Sequence, residues 1–238
     1  MTEDKTDPGP IKGLPVFFFH AGGLPVSAIT DLFESTGRLG RPDDLFDLDG
    51  SMWTRLQDQA PASFSDYLTR QIDAARKNGR RFSALIDWRD FLWLQHRTAF
   101  KELLERPFRA ARLTCLDPAL QARRRLLANS QDIAEPTFRT LSRELIAIEE
   151  DEAMGDDVAR RYGLDMPRLW VEDLSRPGLP ALRGLLDRWS ISLPETLNLQ
   201  PIDPPTSEEL DAVFAFRSEA RNQHWAHALT PRPASSAG

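Results

Sequence analysis

The sequence contains only one cysteine, Cys115, among 238 residues. A lone cysteine excludes a disulfide within the chain and a zinc site built from several thiolates. Long apolar runs are also missing: the strongest one, "VFFF" at 16–19, is far too short to span a membrane. Residues 1–15 are polar and proline-rich, unlike a secretory leader. These absences predict a cytoplasmic protein with no integral membrane segment.

An excess of positive charge is missing as well. The formal net charge is −6 at pH 7 and the pI is near 5.3, which argues against non-specific binding to nucleic acid. Asp43, Asp44, Asp47 and Asp49 lie close together, but they lack the glycine and the distal glutamate of a calcium loop. We therefore expect neither a nucleic-acid partner nor a bound metal, and the sequence leaves a homo-oligomer open.

What remains is the composition of a globular protein, 41% hydrophobic and 28% charged. Residues 1–13 and 230–238 combine proline and serine or charge with no apolar periodicity, which predicts two flexible tails. No linker or repeat interrupts residues 14–229. We expect this stretch to form one domain, since it is long enough to bury a sizeable core.

Short apolar runs alternate with helical patterns along that domain. The runs at 16–20, 81–88, 108–117 and 168–174 predict four strands. Helical spacing predicts helices that start near 26, 64, 89, 118, 136, 179 and 207. Long helices between strands imply crossover connections, and hence an α/β fold with a mainly parallel sheet between two layers of helices. Ligands of such sheets bind beyond the carboxyl ends of the strands.

The segment "HAGGLPVS", from His20 to Ser27, lies at such an end. Gly22 and Gly23 let the backbone approach a ligand, and free N–H groups at a helix start favour an anion. Ser27 adds a hydroxyl, and His20 is a candidate acid or base because its pKa can lie near neutrality. However, the turn has no lysine or arginine, and Pro25 removes one N–H donor. A tight turn that needs glycine only for its backbone conformation is the simpler explanation.

Two further candidates flank this turn in the predicted fold. Asp43 and Asp44 follow the first helix in a predicted loop, where a carboxylate can accept a proton from a hydroxyl group. Trp88 ends the second strand and is the tryptophan that we place in an acceptor pocket, although most tryptophans here are expected to be core.

Arg123, Arg124 and Arg125 follow one another on a predicted helix. Successive helical residues point about 100° apart, so at least one of these side chains should face the sheet edge. An arginine there can hold a phosphate through two hydrogen bonds. A solvated basic helix face is the alternative explanation.

Taken in order, several segments resemble the Stf0-type bacterial sulfotransferases, relatives of trehalose 2-sulfotransferase. "STGRLGRPDDLFD" is similar to the family segment "ATGxxGRPxEYF", "RFSALIDW" to "FGxKxMW", and "DPALQAR" to "RDKLRQAVS". A long helical segment followed by "WVEDL" is similar to the family's long helix and "YEDL". The collinear resemblance covers about residues 14 to 229.

The resemblance implies a P-loop-like three-layer fold and transfer of a sulfuryl group from 3′-phosphoadenosine 5′-phosphosulfate (PAPS) to a carbohydrate or lipid hydroxyl. It implies Asp44 as the catalytic base, with His20 as the nearest group left to replace the family's loop cation. For an active enzyme we assign Gly22, Gly23 and Ser27 to the 5′-phosphosulfate, Arg123 and Arg124 to the 3′-phosphate as replacements for the family's lost contacts, and Asp43 and Trp88 to the acceptor.

The sequence departs from the family at charged positions. Aligned without gaps, the arginine of the family's loop falls on Gly23, and its Ser-Thr pair falls on Val26 and Ser27. The strand lysine falls on Leu85 and the arginine for the 3′-phosphate on Leu116. Three functions therefore stay open: a PAPS-dependent sulfotransferase, a catalytically inactive protein of the same fold that acts as a binding or regulatory subunit, and an enzyme that uses another donor.

Overall fold

A computed structural model of the chain describes residues 13–44, 63–93, 98–129, 136–194 and 197–225. It confirms the predicted α/β fold. Five parallel strands form one sheet in the order β2-β3-β1-β4-β5, with helices on both faces. The strands are β1 (Val16–His20), β2 (Asp43–Asp44), β3 (Ser83–Asp87), β4 (Arg109–Thr114) and β5 (Arg168–Trp170). The described helices are α1 (Val26–Ser35), α2 (Phe64–Lys77), α3 (Trp88–Trp93), α4 (Thr98–Leu104), α5 (Pro118–Asn129), α6 (Phe138–Arg161), α7 (Pro180–Arg188) and α8 (Ser207–Asn222).

β1 lies at the centre of the sheet because both of its faces are apolar. All five of its residues are buried, as expected for a strand of a parallel sheet that is covered on both sides. Side chains alternate along a strand, so Phe17 and Phe19 face one layer of helices and Phe18 faces the other. In the parallel pairing with β3, His20 lies opposite Asp87 at the carboxyl edge.

Each layer of helices is held by aromatic contacts with β1. In the layer that contains α1 and α7, the ring of Phe18 packs on Phe33 at a centroid distance of 4.3 Å. In the layer that contains α2, α6 and α8, Phe19 stacks on Trp88 at 4.6 Å. Burial of these large rings supplies much of the hydrophobic stabilisation of the sheet.

The starts of three helices are set by local capping residues. The side chains of Ser63, Thr137 and Thr206 each accept a hydrogen bond from a backbone amide in the first turn of α2, α6 and α8. Among the described residues, no side chain caps α1, whose preceding residue is Pro25. The amides at the start of α1 are therefore left to other partners.

Two sequence predictions are corrected by the structure. The strand predicted over 168–174 ends at Trp170 and continues as a 3-10 helix, Val171–Ser175, because its partner β4 ends at Thr114. Asp43 and Asp44, predicted in a loop, form the short strand β2 beside β3. Of the helix predicted from 89 to 105, the structure describes α3 and α4, and residues 94–97 lie outside the described part. The predicted tails also fall almost wholly outside it.

None of the helices that the structure describes combines the length and the apolar character needed to cross a membrane.

Candidate functional site

The carboxyl ends of β1 and β4 form the switch point of the sheet. The chain leaves β1 toward β2 on one side and leaves β4 toward β5 on the other, which is where a crevice opens in α/β sheets. The turn from His20 to Pro25 follows β1 at this point. Helix α5, which follows β4, packs directly against the two glycines of the turn.

Gly22 and Gly23 adopt positive φ angles of 73° and 66°. A Cβ atom on Gly23 would collide with the backbone oxygen of Gln121 and would lie 2.9 Å from the Cβ of Arg125. Both partners belong to α5. The glycines are thus required because the backbone of α5 approaches the turn closely. On that side of the turn the space is filled by α5.

Three backbone polar groups of the turn are bonded within the protein. The amide of Gly22 donates to Nδ1 of His20 at 3.0 Å, and Nε2 of Gln121 donates to the carbonyl oxygen of Gly22 at 2.9 Å. Nη1 of Arg125 donates to the carbonyl oxygen of Ala21 at 3.0 Å. These bonds satisfy buried backbone groups that would otherwise be costly, so the turn is held as a structural unit.

His20 is a buried acceptor in this arrangement. Burial lowers its pKa; nearby Asp87, with Oδ2 3.8 Å from Nδ1, opposes this shift, while Arg89 and Arg125 add to it. With Nδ1 accepting from the amide of Gly22, the ring is neutral and its proton is on Nε2. A neutral imidazole does not replace the missing cation of the turn.

We expect the stability of the protein to fall as the pH is lowered from about 6.5, because of His20. The unfolded side chain takes up a proton near the ordinary value of 6.5, whereas the folded one has a lowered pKa. The unfolded state binds more protons between these two pKa values, so stability is lost there at up to about 1.4 kcal/mol per pH unit. Urea unfolding measured at several pH values checks this.

The control for this prediction is His20→Gln. Glutamine can still accept a hydrogen bond from Gly22 but does not titrate, so the pH dependence assigned to His20 should disappear. An equal slope in the variant and the wild type would contradict the assignment.

Arg125 anchors the turn to α6. Its side chain is 4% exposed, with Nε 2.7 Å from Oε1 of Glu144 and Nη1 2.8 Å from Oδ2 of Asp151. Burial raises the pKa of Asp151 and nearby Asp87 adds to the rise, while Arg125 opposes it. This cluster joins β1, β3, α5 and α6 below the turn through charged contacts that have little access to water.

The three consecutive arginines of α5 have different partners. Arg124 forms a two-pronged ion pair with Glu209, at 2.6 Å from Nε and 2.9 Å from Nη2, and its hydrogen bond lowers the pKa of Glu209 to about 2. Arg123 faces a cavity between α5, α6 and α8. The arginine that faces the sheet edge is Arg125. Of the two that were predicted to hold a 3′-phosphate, Arg124 is already paired with a carboxylate and Arg123 faces the cavity, and their predicted role stays a prediction.

The remaining predicted residues lie apart from one another. Ser27 is exposed in the first turn of α1, at the carboxyl edge. Asp44 pairs with Leu85, which pairs with Phe18, so its backbone lies within the sheet rather than beyond its edge. β2 is two strand spacings, about 10 Å, from β1. The structure describes the backbone of Asp43 and Asp44 but not their side chains, so the roles predicted for these residues stay predictions.

Trp88 is fully buried, which corrects its placement in an acceptor pocket. Its ring stacks on Phe19, and a Cβ on Gly155 of α6 would lie 2.5 Å from the ring. A side chain with no accessible surface has nothing with which to contact an acceptor, and Trp88 instead joins α6 to the sheet.

Four residues hold this edge together: Gln121, Arg125, Asp87 and Asp151. The sequence singled out only Arg125, as one of three candidate arginines, although Gln121 and Asp87 also had a usable signal. Gln121 and Arg125 are four residues apart and share one face of α5. Asp87 is a charged residue at the end of an otherwise apolar strand, next to the strand that ends in His20.

Within the described ranges, no three His, Cys, Asp or Glu side chains come together as a metal site would require. Comparison of the sequence with models of known protein families gave no match, and a search of curated proteins gave none either.

Proposed function

We propose that this chain is a sulfotransferase-like protein that has lost PAPS-dependent transfer and acts as a binding or regulatory subunit. The observation that carries the proposal is the contact of α5 with the glycine turn. A phosphate cradle needs backbone N–H groups that point into open space. Here the amide of Gly22 donates to His20, and the backbone of α5 lies against Gly23.

The charges around the turn support the same proposal. The positions that align with three cations of the family are occupied by Gly23, Leu85 and Leu116. Losing one preorganised donor to a leaving charge typically costs about 100- to 1,000-fold in rate. Arg124 is bonded to Glu209, so binding a 3′-phosphate there would first require breaking a close ion pair.

An active sulfotransferase is the second candidate, and the exposed hydroxyl of Ser27 at the uncapped start of α1 favours it. In that case Asp44 takes the proton of a carbohydrate or lipid hydroxyl. The oxygen of that hydroxyl forms the new bond to sulfur, and adenosine 3′,5′-bisphosphate leaves with the electrons of the broken S–O bond. Ser27 and the backbone of the turn would hold the 5′-phosphate, with Arg124 on the 3′-phosphate.

Calorimetric titration with adenosine 3′,5′-bisphosphate separates the two candidates. We expect no saturable binding at millimolar nucleotide, because the family's cations are missing from the turn, the amide of Gly22 and the side chain of Arg124 are already bonded, and α5 lies against Gly23. Micromolar binding that both Ser27→Ala and Arg124→Ala weaken would overturn the proposal and establish the transferase. In that event, Asp44→Asn should abolish turnover with little effect on nucleotide affinity.

A further inference from the structure

A cavity of about 280 Å³ lies between α5, the start of α6 and α8. Its volume equals that of about nine water molecules in the liquid, which suits a ligand of about ten non-hydrogen atoms. Most of its wall is apolar. The wall includes Arg123, Phe138, Leu141, Ala212, Phe216 and Glu219. We call this space the α5–α8 cavity.

Arg123 brings a buried cation to the wall of the α5–α8 cavity. Its side chain is 7% exposed, and within the described part of the chain its Nε has no hydrogen-bond partner. Its closest carboxylate oxygen there is on Glu208, 3.7 Å from Nη2, which is too long for a hydrogen bond, and that glutamate is 87% exposed. A buried guanidinium with an unsatisfied donor is costly unless another group binds it.

The neighbouring arginines have closer carboxylate oxygens than Arg123 does. Arg124 has Glu209 within 2.6 Å, and Arg125 has both Glu144 and Asp151 within 2.8 Å. All three lie on one helix in the same protein, so the local chain is able to supply carboxylates to buried arginines. For Arg124 and Arg125 it does so within hydrogen-bond distance, whereas the carboxylate oxygen of Glu208 stays 3.7 Å from Arg123.

The α5–α8 cavity is separate from the glycine turn. Gln121 and Arg125 share the face of α5 that contacts the turn. Arg123 is two residues from each, and two helical residues correspond to about 200° of rotation. Its side chain therefore leaves α5 on the opposite side, toward α6 and α8. A ligand in this cavity would not need the turn.

We propose that the α5–α8 cavity binds a small amphipathic monoanion, an aromatic or short aliphatic carboxylate. The carboxylate accepts two hydrogen bonds from the fork of Arg123, a geometry that guanidinium groups match well. The apolar body lies against Phe138, Leu141 and Phe216, as in most small-molecule sites. The carboxylate of Glu219 on the same wall disfavours ligands of higher negative charge, such as phosphate esters. The site goes beyond the proposed function and does not depend on it.

Titration of the full chain with phenylacetate, followed by NMR chemical shifts, tests the proposal. The uncharged analogue 2-phenylethanol is the ligand control. We expect saturable binding with a Kd of about 1 mM or below, and at least about 10-fold weaker binding of the alcohol. Absence of saturation at tens of millimolar phenylacetate would overturn the proposal, as would equal binding of the two compounds.

Two variants locate the binding. Arg123→Leu removes the cation and should weaken phenylacetate binding by about 10- to 100-fold. Ala212→Leu keeps the cation but fills part of the cavity, and it should also abolish binding. Arg139→Leu is the matched control, since Arg139 is exposed next to Phe138 and does not line the cavity. Unchanged binding in Ala212→Leu, or an equal loss in Arg139→Leu, would overturn the assignment.

Thermal unfolding without ligand gives an independent readout. Arg123→Leu replaces a buried charge that has no described carboxylate within hydrogen-bond distance with an apolar side chain, so its Tm should equal or exceed that of the wild type. A Tm clearly below that of Arg139→Leu would show that Arg123 has a structural partner and would contradict the proposal. Failure of Arg123→Leu to fold would contradict the proposal in the same way.

Discussion

Replacing Gly23 with alanine is expected to lower the free energy of unfolding by about 2–5 kcal/mol. The φ angle of Gly23 is 66°, a conformation that costs an alanine about 1–2 kcal/mol. In addition, the new methyl group would collide with the backbone oxygen of Gln121. A backbone atom within a helix cannot move aside like the end of a long side chain, so the turn or α5 must shift.

Gly37→Ala is the matched control for this prediction. Gly37 has a φ angle of 64°, but no described atom lies within 4 Å of where its Cβ would be. Gly37→Ala should therefore lower the free energy of unfolding only by the cost of the positive φ angle, about 1–2 kcal/mol. Urea unfolding of both variants, followed by circular dichroism, isolates the collision with α5. A loss for Gly23→Ala no larger than that for Gly37→Ala would mean that α5 leaves room at the turn, which would favour a ligand there.

The glycine turn shows where prediction from sequence stops. Two glycines after a buried strand indicate that something approaches the backbone closely, and this is correct. The sequence does not say whether that object is a ligand or another part of the chain. Here it is α5, and the bond from Gln121 to Gly22 joins residues 99 positions apart. Such contacts depend on how distant helices dock, which local patterns do not encode.

The sheet itself was largely predictable for the opposite reason. The apolar run of β1 and the helical spacing of α2 and α6 are local patterns, and helix caps such as Thr137 and Thr206 lie beside the residues that they cap. The predictions for β2 and for the end of β5 were wrong because the length of a strand depends on its partner strand. Thr114 is the last residue of β4 that pairs with β5. The sequence of 168–174 does not show where this pairing ends.

The arginines of α5 show the same difference between local patterns, which the sequence predicts, and contacts between distant elements, which it does not. Helical geometry correctly predicts that Arg123, Arg124 and Arg125 point in different directions. Which one faces the sheet edge depends on the rotation of α5, which is set by the burial of its apolar residues. The acidic partners lie on α6 and α8 and are distant in sequence. Helical geometry therefore predicted that at least one of the three arginines faces the sheet edge, but it did not say which one.

Arg125→Met is expected to lower the free energy of unfolding by about 3–5 kcal/mol, the usual cost of removing one partner from a buried ion pair. Arg125 donates to the carbonyl oxygen of Ala21 and lies within 2.8 Å of carboxylate oxygens on Glu144 and Asp151. Methionine fills similar space but leaves these acceptors buried without the cation. The exposed control Arg160→Met loses only a surface pair with Asp157, so its effect should stay below about 0.5 kcal/mol.

The pH dependence of the Arg125→Met loss identifies its cause. Burial already raises the pKa of Asp151 and Arg125 opposes the rise, so removing the cation raises that pKa further. A carboxyl group whose folded pKa exceeds its unfolded value contributes stability below the unfolded value and loses it as the pH rises through the folded one. The deficit of Arg125→Met should therefore shrink in acid, and Arg125→Met combined with Asp151→Leu should recover part of it at neutral pH. If the loss of unfolding free energy in Arg125→Met depended neither on pH nor on Asp151, it would come from the missing hydrogen bond to Ala21. The turn would then be held by that single contact rather than by the charged cluster.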